Sequence, residues 1–130
     1  MKLTLGLGCD RGTPAATIIQ AIEEALAACS GSLMDIGSAA SIALKANEDG
    51  LLQAMQHFGL AIRFYSAAEL AVVPVPNPSE TVRRHTGTPS VSEAAALLAA
   101  GAGAQLLLEK HRLRGPDGRN ATVSIARIAQ

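Results

Sequence analysis

The residues best suited to chemistry fall in short polar runs. The first, Gly6-x-Gly8-Cys9-x-Arg11-Gly12-Thr13, joins a strand-like segment to a helix-like one. Such a turn presents free backbone N–H groups at the positive end of a helix dipole. Arg11 adds a planar donor that is always charged. Together these favour an anion, either carboxylate or phosphate. The run is not a Walker loop, because no Gly-Lys-Ser/Thr follows, and its third glycine is misplaced for a dinucleotide fingerprint. A plain strand-to-helix turn with a solvated Arg11 would use the same residues, since glycine is at home in such turns.

The second run is Lys45-Ala46-Asn47-Glu48, at the expected end of a second strand. In a parallel sheet it shares an edge with the first run. Lys45 and Glu48 are candidates for acid–base work, or for a plain surface ion pair with each other. The third run is Asn77-Pro78-Ser79, followed by Arg83, Arg84, Gly87, Thr88 and Ser90. Helix starts at Ser79 and Ser90 flank the basic triplet Arg83-Arg84-His85, again suited to anions. Two capped helices joined by a polar loop would look the same.

Lone residues complete the inventory. Cys9, near a helix N-terminus, is either a thiolate of lowered pKa or a small buried side chain. His85 and His111 lack metal-ligand spacing to other His, Cys or carboxylates, and His57 is expected as a surface or core side chain. No metal and no cofactor is expected. No Ser/His/Asp triad is readable, although sequence order alone excludes none.

These runs need elements to position them. Leu3 to Gly8 alternates apolar and small residues, as a buried strand does. Thr13 suits an N-cap with Pro14 at the first helical position. Ile18, Ile19, Ile22 and Leu26 then recur at helical spacing. A second strand is expected over 40–46. A helix capped by Asn47 should run through Leu51, Leu52, Met55 and Phe58 to Gly59. Leu60 to Tyr65 predicts a third strand. Ser66-x-x-Glu69 and Ser90-x-x-Glu93 have the form of capping boxes. Gln105 to Lys110 and Ala121 to Ile128 predict two more strands, joined by the Gly115-Pro116-Asp117-Gly118 turn. Strands alternating with helices imply parallel pairing, and the last two strands an antiparallel hairpin. The expected fold is a three-layer α/β domain. It has a mixed, mostly parallel sheet of about five strands with helices on both faces.

The chain has 130 residues, 48% hydrophobic and 17% charged, which suits one globular domain over 1–130. Formal net charge is +0, so bulk charge points to neither nucleic acid nor membrane. Aromatic content is 2%, which argues against base-stacking platforms. Two cysteines make no disulfide framework. With no signal-type or spanning apolar run, a cytoplasmic protein is expected.

Several of these motifs together resemble one family. Gly8-Cys9-Asp10-Arg11-Gly12-Thr13 resembles the "GCxRGT" opening of CobE and the C-terminal domain of CbiG. Leu44-Lys45-Ala46-Asn47-Glu48 with Gly50-Leu51 is similar to its "LKxxExGL" segment, with Asn47 where an acidic residue is more usual. Asn77-Pro78-Ser79 and Gly87-Thr88-Pro89-Ser90-Val91-Ser92-Glu93-Ala94-Ala95 resemble its "NPS" and "GTPSVxEAA" segments. Order and spacing agree from about residue 4 to residue 127.

The resemblance implies cobalamin biosynthesis. It suggests a binding or auxiliary module for a precorrin or corrinoid intermediate, with other enzymes of the pathway as further partners. The site residues would be Gly8, Cys9, Arg11, Gly12, Thr13, Lys45, Glu48, Asn77, Ser79, Arg83, Arg84, Gly87, Thr88 and Ser90. The alternative is an enzyme of the cobalt-precorrin-5A hydrolase type, opening a lactone and releasing a two-carbon fragment, with Lys45, Glu48 and Cys9 as catalytic candidates. A phosphate or nucleotide domain built on the first loop is a third reading.

Overall fold

The computed structural model describes residues 2–129. In chain order the elements are β1 (Leu3–Cys9), α1 (Ala15–Ala28), β2 (Ile36–Ile42), α2 (Asp49–Phe58), β3 (Ile62–Tyr65), α3 (Ala67–Ala71), α4 (Glu80–Thr86), α5 (Val91–Ala100), β4 (Gln105–Arg114) and β5 (Asn120–Arg127). The strands form one sheet in the order β3-β2-β1-β5-β4. The pairs β1–β2 and β2–β3 are parallel; β1–β5 and β5–β4 are antiparallel. This is the mixed α/β sheet expected, with the hairpin at one edge.

Side-chain alternation along β1 divides the core between two faces. Leu3, Leu5 and Leu7 pack with Ile18 and Ile22 of α1 and Leu51 of α2. Thr4 and Gly6 face α5 instead. The Thr4 hydroxyl donates to the Ala96 carbonyl at 2.8 Å. A Cβ on Gly6 would run into the Ser92 carbonyl and come within 2.6 Å of the Ala96 nitrogen. The backbone of α5 therefore lies directly on β1, and the buried Ala94, Ala95 and Ala96 keep that approach close. This contact brings the first turn of α5 to the C-terminal end of β1, where the site lies.

Several local boundaries differ from expectation, each for a physical reason. The second strand starts at Ile36, not near residue 40, and ends at Ile42. Its pairing with β1, from Leu3↔Ile36 to Gly6↔Ala40, holds a Gly/Ser/Ala stretch of weak strand propensity. Residues 43–45 form a 3-10 turn, so Lys45 stands beyond the strand. At the start of α1 the cap position falls on Pro14. The Thr13 hydroxyl is used instead on the carbonyls of Asp10 (2.7 Å) and Asn120 (3.3 Å). Glu48, not Asn47, occupies the cap position of α2, without a side-chain cap bond.

The box at Ser66 and Glu69 forms reciprocally, and Gly59 ends α2 in the left-handed conformation. The box expected at Ser90 and Glu93 does not form. The Glu93 side chain is fully buried and turns to Asn77, and the Ser90 hydroxyl has no hydrogen-bond partner among the described residues.

Candidate functional site

Beyond the C-terminal end of β1 lies an open cleft of about 560 Å³. Gly8, Cys9, Asp10 and Arg11 form its base. Leu44 and Lys45 come from the turn after β2. Val82 and His85 descend from α4, Val91 and Ser92 from α5. The far wall is made by Lys110 and Arg112 of β4 with Asn120 and Thr122 of β5. The cleft thus sits at the strand ends where open α/β sheets place ligands.

The loop after β1 is braced, and its backbone donors at Asp10, Gly12 and Thr13 are already engaged. Glu48 accepts the Gly12 N–H with both oxygens, at 3.0 and 3.3 Å. The Asp10 N–H donates to the Asn120 carbonyl at 3.0 Å and the Thr13 N–H to the Asp10 carbonyl at 3.2 Å. Arg119 Nε donates to the Arg11 carbonyl at 3.0 Å. Gly12 sits at φ +78°, the left-handed region that favours glycine. Gly50 adds a second clamp, since a Cβ there would collide with the Thr13 carbonyl and lie 3.1 Å from the Ala15 nitrogen. An anion approaching this loop finds the Gly12 N–H already bonded to the chain's own carboxylate.

What the loop projects into the cleft is side chain. Arg11, Lys45 and Arg112 line the cleft, and none forms an ion pair among the described residues. Lys45 and Glu48 do not pair with each other. Lys110 Nζ donates to the Asn77 carbonyl at 3.3 Å. The one carboxylate in the wall is Asp10, and its Oδ2 accepts from Asn120 N and Nδ2 at 2.7 and 3.1 Å. The cleft is therefore electropositive inside a chain of zero net charge. Leu44, 57% exposed, adds apolar surface beside Val82 and Val91.

Cys9 is not an activated thiol. Burial pushes it up to about 11 and outweighs the pull of the Lys45 charge, while Glu48 and Asp10 push it further up. Among the described residues no group of three or more His, Cys, Asp or Glu could hold a metal ion.

Of the residues singled out from sequence, Gly8, Cys9, Arg11 and Lys45 line the cleft. Gly12, Thr13 and Glu48 build the loop behind it. Asn77 is a brace: its N–H and Nδ2 donate to Glu93 at 3.3 and 2.6 Å, and Nδ2 also donates to Glu109 at 3.1 Å. Ser79 caps α4 by accepting the Val82 N–H at 3.2 Å. Arg83 pairs with Glu80 at 3.4 Å. Arg84 is exposed on α4 outside the cleft wall. Gly87 ends α4 at φ +83°. Thr88 and Ser90 are buried, and neither hydroxyl has a partner among the described residues.

Lys110 and Arg112 were not anticipated. In a regular strand Arg112 would share a face with Leu108, which packs in the α1 core. The register shifts between Leu108 and His111, so three residues of β4 span two of β5. That bulge turns Arg112 to the cleft face. Nothing in the local pattern signals it.

The family model for the cobalamin synthesis G C-terminus matches residues 3–126. The cobalt-precorrin-5A hydrolase of Priestia megaterium is 38% identical over 126 residues, covering 97% of this chain and 32% of the hydrolase. Protein CobE of a Sinorhizobium species is 43% identical over 110 residues, covering 83% of this chain and 71% of that protein. The crystal structure of CobE, described as a protein from the cobalamin biosynthetic pathway, superposes with a TM-score of 0.84 at 34% identity. It covers 98% of this chain and 91% of that one.

Proposed function

Because the chain belongs to the cobalamin synthesis G C-terminus family and is a cobalamin biosynthesis protein, we propose that its cleft binds a precorrin or corrinoid intermediate as an auxiliary module. Such rings carry a rim of acetate and propionate carboxylates around a largely apolar macrocycle. The observation that carries the reading is the set of unpaired cations, Arg11, Lys45 and Arg112, around one cleft with a single, already engaged carboxylate. Charge-assisted bonds to these groups are among the strongest a protein makes. Leu44, Val82 and Val91 supply apolar contact for the ring.

Holding, rather than turnover, fits the local chemistry. A thiol raised to about 11 is a poor nucleophile at neutral pH. Glu48 is committed to Gly12 behind the cleft, and Asp10, the carboxylate that lines it, already accepts from Asn120. The chain spans about a third of the hydrolase it resembles. In this reading the module's task is to sequester the ring and pass it on within the cytoplasm. No helix among the described residues is long and apolar enough to cross a membrane.

The test is a titration of a stable corrin polycarboxylate, cobyrinic acid, with the protein, followed by absorbance and mass. A saturable spectral change with no change in ligand mass is expected. A precorrin substrate that loses mass on incubation would instead favour the hydrolase reading.

A further inference from the structure

Resting on that reading of the cleft, we propose that Arg112 is a specificity-determining residue. With Lys110 beside it, it receives ring-rim carboxylates on the flank away from Lys45. Sheet register supplies the geometry. Gly8 pairs with Thr122, and Thr122 pairs with Arg112, so the three form one row across β1, β5 and β4. Lys45 follows β2, on the other side of β1. Neighbouring strands lie about 4.8 Å apart, so the backbones of the flanking strands β2 and β4 are separated by roughly 14 Å across this row.

Cations on both flanks of one cleft offer contacts to more than one carboxylate at a time. A broad ligand with carboxylates on opposite edges suits that arrangement. Two register shifts in β4 set the faces: the one between Leu106 and Leu108 lets Leu108 enter the α1 core, and the one between Leu108 and His111 returns Arg112 to the cleft face. Arg112 is exposed and forms no ion pair among the described residues, so its charge is available to a ligand. Lys110 is held nearby by the Asn77 carbonyl, which leaves ammonium protons free.

The experiment compares wild type, Arg112→Gln, Arg11→Gln and Arg114→Gln. Each is titrated with cobyrinic acid and with its fully amidated, uncharged counterpart. Arg114 lies two residues along the same strand, is exposed and does not line the cleft, so its loss matches the change in net charge. Arg112→Gln is expected to weaken the acid by about ten- to a hundred-fold. It should leave the amidated ring unaffected and melt like wild type. Acid binding that is unchanged in Arg112→Gln but weakened in Arg11→Gln would overturn this inference and leave the cleft reading intact. An equal loss in Arg114→Gln would reduce the effect to bulk charge and also overturn it. Failure of the wild type to bind the acid would remove the cleft reading itself.

Discussion

Glu48 accepts the backbone N–H of Gly12 with both carboxylate oxygens, at 3.0 and 3.3 Å, across 36 residues of sequence. An anion is thus built into the loop that looked ready to receive one. The loop's job becomes the rigid presentation of Arg11.

This assigns Glu48 a structural task. Glu48→Ala should destabilise the fold by about 1–2 kcal/mol, the worth of a charge-assisted bond that is partly exposed. Glu48→Gln retains an acceptor and should lose clearly less. Urea denaturation of the two variants checks the order. Equal losses would mean that the bond to Gly12 contributes nothing.

Asn77 is predicted to matter for stability more than for ligand contact. It donates twice to the fully buried Glu93 and once to Glu109. Asn77→Asp removes the side-chain donor and sets a third carboxylate beside two others. A loss of about 2–4 kcal/mol is expected, because the change leaves a buried acceptor without its side-chain donor and crowds it with a further carboxyl group. A variant with wild-type stability would show that Glu93 finds another donor.

Gly6 is predicted to be irreplaceable. A Cβ there meets the backbone of Ser92 and Ala96 rather than a side chain that can swing away. Gly6→Ala should cost about 3 kcal/mol or more by overpacking, read as a lowered urea midpoint. A change under about 1 kcal/mol would mean that α5 shifts at little cost.

The Cys9 thiol should alkylate slowly at neutral pH and faster as pH rises toward about 11. Lys45→Gln should slow it further, because the lysine charge is what lowers the thiol's pKa. The linkage has a definite sign. The folded pKa lies above the thiol's ordinary value of 9.0, so the neutral thiol's contribution to stability is present below pH 9 and lost as pH rises through about 11. Mass-spectrometric alkylation rates against pH test this. Rapid reaction at pH 7 would point to an activated nucleophile and revive the catalytic reading.

Much of the fold was legible because its signals are local. The Ser66–Glu69 box, the Gly59 cap and the Gly115–Gly118 turn each lie within a few residues. The alternation of strands and helices predicts the parallel β1–β2–β3 pairing. The site was legible only where loops follow strands directly, as with Arg11 and Lys45. Glu48 looked free because its partner Gly12 is distant in sequence. Glu93 looked like part of a capping box because Asn77 was not known to be near. Arg112 was hidden because two register shifts in β4 break the period-two pattern on which strand faces are read.

In the proposed function, cations in this cleft grip the carboxylates of a corrin ring. The most direct measurement is the dissociation constant of cobyrinic acid for wild type, Arg11→Ala and Arg11→Lys at two ionic strengths. Arg11→Ala should weaken binding by about ten- to a hundred-fold. Arg11→Lys should recover only part of the loss, since an ammonium cannot grip a carboxylate bidentately. Wild-type binding should weaken as salt rises, because partly exposed ion pairs are screened. Binding that is indifferent to salt and retained by both variants would rule out the carboxylate grip and leave apolar contact as the force holding the ring.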